Sequence, residues 1–103
     1  MDRLAVGVWN AERPKTRRER RRGWLGRDRV GPQDALLLER CRSVHTFWMR
    51  LPITIVFLDG SWRVIRVVRA QPGRLLFCRR ARRVLECHIG AAVRVGDHLD
   101  PGR

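Results

Sequence analysis

The sequence predicts a mainly β fold, a small β-barrel or sandwich of short, mostly antiparallel strands with one short Arg-rich helix near the N-terminus. Three observations carry this. From Pro52 to Leu58 every residue except Pro52 and Thr54 is apolar, and Ile, Val, Thr and Phe dominate, the make-up of a half- to fully buried strand. Asp59-Gly60 follows at once and favours the positive-φ turn that matches strand twist, so a hairpin is expected there. Further short runs recur along the chain between Gly, Pro and charged punctuation, at the spacing of a barrel or sandwich.

The elements follow in order. Leu4 to Trp9 reads as a first strand, weakened by Gly7, with Leu4, Val6 and Val8 on one side. Thr16 and Glu19 fit a capping box, so a helix is expected from about Arg17 to Trp24, stopping at Gly23 or Gly26 and docked by Trp24 and Leu25. Its arginines oppose the helix dipole at the N-terminus, which makes it marginal in isolation. Arg27 to Asp34 reads as a loop around Gly31-Pro32, and Ala35 to Leu38 as a short strand. Glu39, amid Arg40 and Arg42, is expected to be paired at the surface. Val44 to Leu51 alternates, with His45, Phe47, Met49 and Leu51 assigned to the core face. Trp62 to Ala70 supplies the hairpin partner, with Trp62, Val64, Arg66, Val68 and Ala70 facing inward and Arg66 the misfit. Gln71-Pro72-Gly73 is a turn and Arg74 to Cys78 a strand. Val84 to Ile89 alternates, placing Leu85, Cys87 and Ile89 inward and Val84, Glu86 and His88 on the other face. Val93 and Val95 form a last strand, before a polar tail from about 97 to 103.

Length bounds the chain to a single domain, 1–103, with a modest core. The formal charge is +13, and all but Lys15 of its 23 basic Lys and Arg residues are arginine. That ratio suggests a G+C-rich genome, where Arg codons are favoured, so part of the basicity is expected to be codon bias. A surface this positive nonetheless attracts nucleic acid, anionic lipid and acidic proteins. Three cysteines, Cys41, Cys78 and Cys87, cannot all pair within one chain; they read as reduced thiols. No apolar run is long enough to span a bilayer, and Met1 to Asn10 lacks the core of a signal peptide, so a cytoplasmic protein is expected.

A set of short motifs then aligns in order: Gly23-Trp-Leu-Gly-Arg27, Phe47-Trp48-Met49, Leu51-Pro52-Ile53, Phe57-Leu58-Asp59, Val84-Leu85-Glu86 followed by Gly90, and Gly96-Asp97. Together they resemble the signature of the domain-of-unknown-function 192 family over about residues 16–99. The resemblance implies a small bacterial or archaeal β-barrel or sandwich domain, found alone or beside envelope and pilus-assembly genes, with no established reaction. The family commonly carries Asp where this chain has Thr54.

Cys41 with His45, and Cys87 with His88, are metal-ligand types. Zinc needs four ligands, however, and Cys87 and His88 would point to opposite faces of a strand, so no metal or other cofactor is expected. Asp59 and Asp97 are explained by turns. Glu86 lies mid-strand among apolar residues and needs a partner, expected to be an Arg or His45. A ligand site, if concave, is expected near His45, Trp48, Arg50 and Glu86. A polyanion surface would draw on Arg17, Arg18, Arg20, Arg21, Arg22, Arg79, Arg80, Arg82 and Arg83. The expected function is a non-catalytic binding or accessory module, a choice that rests on the family resemblance. A nucleic-acid-binding protein is the alternative and a small enzyme the third reading; the partner's identity is left open.

Overall fold

The computed structural model describes residues 2–101; the side chains of Arg17, Arg21 and Arg22, named above as polyanion candidates, lie outside the described residues. The chain runs β1 (Asp2–Val6), β2 (Trp9–Arg13), α1 (Arg17–Arg22), β3 (Asp34–Glu39), β4 (Ser43–His45), β5 (Ile53–Leu58), β6 (Val64–Ala70), β7 (Leu75–Phe77) and β8 (Arg83–His88). Six strands form one sheet in the order β1-β2-β3-β8-β5-β6, and β4 and β7 form a separate two-stranded ribbon. All pairings are antiparallel except β2 with β3. The fold is mainly β and sandwich-like, not a closed barrel.

The sheet is buried on both faces, which is why β5 reads as an apolar run broken only by Thr54: all six of its residues are buried. On the first face Val56, Leu58, Leu37 and Leu85 meet Trp9 and Val6, covered by Val93 and Leu99 of the C-terminal segment. On the second face Ile53, Ile55, Phe57, Leu36 and Val84 meet Trp24, Val44 and Met49, covered by the segment after α1 and by the ribbon. The stretch expected to be a polar tail is docked in part. The Leu99 N–H donates to the Trp62 carbonyl at 2.9 Å and Val6 bridges to Pro101.

The helix forms as its capping box dictates. The Glu19 N–H donates to Thr16 Oγ1 at 3.0 Å, and Glu19 Oε1 accepts from the Thr16 N–H at 3.2 Å. Gly23 ends it at φ +44°, and Trp24, only 3 % exposed, docks it.

Several expectations are corrected. Leu4 to Trp9 is not one strand: Gly7, at φ +57°, turns β1 back into β2, and Val8 at the turn is exposed. The strand expected over Val44 to Leu51 ends at His45. Over Val44 to Phe47 its parity is the reverse of the sequence reading, with Val44 and Thr46 buried and His45 and Phe47 exposed, while Met49 is buried and Trp48 and Arg50 are exposed as expected. In β6 a register shift between Phe57 and Leu58 leaves an extra residue against β5, so the inward face changes along the strand. Val64 and Val67 therefore join the first core, while Ile65, Val68 and Ala70 join the second. Ile89 is exposed, and Val93 and Val95 form no strand, although Val93 is buried. Glu39 pairs not with its neighbours but with Arg83, whose Nε donates to it at 2.7 Å.

Thr46 holds the ribbon to the next turn. Its Oγ1 donates to the Gln71 carbonyl at 2.7 Å and accepts from the Arg74 N–H at 2.8 Å, with the residue 1 % exposed. Thr46→Val keeps the shape but leaves both backbone groups without that partner, so it is expected to destabilise the fold by about 2 kcal/mol. Urea unfolding checks this; an unchanged midpoint would show that solvent replaces both bonds.

Candidate functional site

A cleft of about 310 Å³ lies on the second face of the sheet, between the end of α1, β3 and the ribbon. Its walls are largely apolar: Trp24, Leu36, Leu38, Cys41, Val44 and Met49. Arg20, His45 and Glu86 also line it.

Glu86 sits on β8, flanked in the sheet by Leu36 on β3 and Ile55 on β5. Alternation along β8 sends Leu85 and Cys87 to the first core and turns Glu86 to the second face. The residue is 7 % exposed. The expected Arg or His45 partner is not found: among the described residues no hydrogen bond or ion pair reaches this carboxyl. The Arg20 guanidinium, on the same cleft, instead donates to the Glu39 carbonyl at 2.7 Å, which ties α1 to the end of β3. Burial alone then pushes the Glu86 carboxyl up to about 7.

Two thiols lie close by. Burial raises Cys41, and pushes Cys87 up to about 12, so both are neutral thiols rather than activated nucleophiles. Among the described residues no three His, Cys, Asp or Glu side chains are grouped to hold a metal ion.

Of the four ligand-site candidates, the structure brings Glu86 into this cleft and His45 to its rim, with the His45 ring turned outward onto Phe47, and leaves the other two outside its lining. Trp48 stands 78 % exposed beyond the rim, edge-on to His45 at 6.3 Å. Arg50 pairs with Asp28 at 3.0 Å on the surface. Sequence reasoning missed Arg20 and Trp24 as lining residues, since the distance along the chain from α1 to β8 gives no sign that they meet.

The polyanion candidates divide as well. Arg83 is used internally: besides Glu39 it reaches the Asp59 carbonyl at 3.1 Å, and its guanidinium lies 4.0 Å from the Trp62 ring centroid. Arg20 is used likewise. Arg18, Arg79, Arg80 and Arg82 are exposed. Arg82 also lines a wide depression of about 900 Å³ with Arg40 and Arg42.

Thr54, at the place where the resembled family carries Asp, is fully buried. Its hydroxyl donates to the Ile89 carbonyl at 3.1 Å and accepts from Arg69 Nη1 at 2.8 Å. A guanidinium thus already faces the position that a carboxylate would occupy.

The family described as "Uncharacterized ACR", the domain-of-unknown-function 192 family, matches residues 3–101. Two solved structures are similar. One is a protein of unknown function from Novosphingobium aromaticivorans, with a TM-score of 0.83 and 21% identity, covering 95% of this chain and 83% of that one. The other, described as a candidate transcription regulator from Sinorhizobium meliloti, has a TM-score of 0.81 and 19% identity, covering 96% of this chain and 92% of that one. At these identities the likeness is one of fold. Among curated proteins no relative matches the chain.

Proposed function

The chain belongs to the domain-of-unknown-function 192 family, and on that premise we propose that it is a non-catalytic binding module whose ligand enters the Glu86 cleft. One observation carries this reading: a buried carboxyl without a partner faces an apolar cleft of about 310 Å³. Structural carboxyls at this depth are ordinarily paired, because an unpaired one costs free energy. A ligand that supplies the missing donor removes that cost. The cleft therefore suits an ammonium or other strong hydrogen-bond donor carried on a short apolar body, the body against Trp24, Leu36 and Met49. Arg20 and His45 are the other chargeable groups on the cleft and set its polar rim.

Hexylammonium and hexanol serve as probes in an NMR titration of the intact chain. Hexylammonium is expected to shift signals from Trp24 and Met49 and to bind more tightly as pH rises through Glu86's pKa of about 7. In Glu86→Gln its affinity is expected to fall about tenfold, the scale of one charge-assisted hydrogen bond. Equal binding of hexanol would remove the donor preference and leave an apolar cleft; silence from both probes would remove the cleft as a site.

A second reading, nucleic-acid binding, draws on the exposed Arg79, Arg80 and Arg82 beside Arg40 and Arg42. Its mark is affinity for single-stranded DNA that falls steeply with salt, with a slope set by the phosphates contacted. For an accessory role in envelope or pilus assembly, the support is family resemblance alone.

A further inference from the structure

The β4–β7 ribbon has an inner and an outer side. Its pairs are Ser43 with Phe77, Val44 with Leu76 and His45 with Leu75. Val44 and Leu76 pack on the second core, so His45, Leu75 and Phe77 are turned away from it. Leu75 is 70 % and Phe77 58 % exposed. The chain that leaves β4 adds Phe47, stacked on His45 at 5.1 Å, and Trp48, edge-on to Phe47 at 6.0 Å. Trp48 takes a φ of +63°, a region that L side chains rarely adopt, and its ring projects into solvent. The Thr46 bonds described above hold this turn and its neighbour together, so the apolar face is formed in advance rather than assembled on contact.

Charge surrounds it. From Arg40 to Leu85 the only acidic residue is Asp59, and its carboxylate accepts the N–H groups of Ser61 and Arg63 in its own turn. Arg66 donates to the Phe77 carbonyl at 2.7 Å, Arg74 precedes Leu75 in the chain, and the Arg42 carbonyl accepts from the Cys78 N–H next to Phe77. An exposed apolar face with arginines along its border, where the nearby Asp28 is already paired with Arg50, marks an interaction site with an anionic partner. A second copy of the chain is disfavoured, since it would bring two arginine borders and two +13 charges together.

We propose that this face docks on the surface of an anionic lipid bilayer, with Trp48, Leu75 and Phe77 entering the boundary between headgroups and acyl chains and Arg42, Arg66 and Arg74 meeting lipid phosphates. The side chains favour lipid over nucleic acid. Stacking on bases needs open ring faces, but His45 covers one face of Phe47, and Leu75, the most exposed apolar residue of the ribbon, has no ring. An indole at the rim and aliphatic and phenyl groups beside it suit a membrane interface, where cationic side chains add attraction to anionic lipid.

The test is co-sedimentation of the full chain with vesicles of phosphatidylcholine alone, and with vesicles containing roughly one-third phosphatidylglycerol. Binding is expected to the second and not the first. It is expected to weaken at least about tenfold in the Leu75→Ser, Phe77→Ser double variant, whose exposed sites leave the fold intact, as its thermal midpoint would verify. The blue shift of Trp emission on binding is expected to vanish in Trp48→Phe. A third arm offers a single-stranded oligothymidine. Equal binding to both vesicles, or binding to anionic vesicles that the double variant leaves unchanged, would overturn the proposal, the latter because bulk charge then suffices. So would tight oligothymidine binding that is lost in the double variant without any vesicle binding.

Discussion

At about pH 8.5 the Glu86→Gln variant is expected to unfold on the order of 10 °C above the parent chain, a difference that closes as pH falls. The cause lies in two pKa values. The Glu86 carboxyl has an ordinary value of 4.5 when the chain is unfolded, and burial raises it to about 7 in the fold. Below 4.5 both states hold the proton, and the group contributes no pH dependence. Between the two values the folded state keeps the proton that the unfolded chain has released, so stability falls as pH rises. Above about 7 both states are ionised and the penalty levels off at about 3 kcal/mol, an upper figure for a carboxylate that water reaches through the cleft. The glutamine of the variant has the same shape and stays neutral, so it escapes this penalty at every pH. Thermal midpoints for both proteins across this window measure it. Parallel curves would mean that Glu86 has a partner in solution, and the case for a vacant donor site at the cleft would fall with it.

Phe57→Ala is expected to cost about 4 kcal/mol, a large part of the stability of a domain this size. Phe57 is fully buried in β5, a strand paired on both sides, and its ring fills the second core with the Arg66 guanidinium 5.7 Å from the centroid. Truncation leaves a void beneath the ribbon and the cleft, where surrounding strands have little freedom to close it. Chemical denaturation provides the measurement, with Leu75→Ala as the exposed control, expected within about 0.5 kcal/mol of the parent. A cost for Phe57→Ala as small as the control's would mean that the second core is loosely packed. The cleft on that core would then lose its fixed shape.

Much of the frame is legible in the residues. A run such as Ile53–Leu58 specifies a strand whichever way it faces, because both faces of the sheet are buried and no alternation has to be read. Thr16 and Glu19 specify the helix start because the interaction is local: three residues apart, they satisfy each other's backbone. Val84 to His88 places Glu86 on the opposite face from Leu85 and Cys87 by alternation alone. The same alternation misleads at Val44–Leu51. There the strand stops at His45 and Trp48 turns into the left-handed region, so the period of two no longer applies and Phe47, assigned to the core, emerges at 38 % exposure. It misleads again in β6, where one extra residue against β5 exchanges the faces.

The class of fold, the main strand and its hairpin, the cap of the helix and the positive charge are all legible in the residues, since each depends on neighbours a few positions apart or on composition. That Arg20 turns to a backbone carbonyl while Glu86 is left without a donor, and that the ribbon's apolar residues face outward, emerges from the folded chain alone. Those outcomes depend on which distant segments pack together, and burial and pairing are properties of that packing.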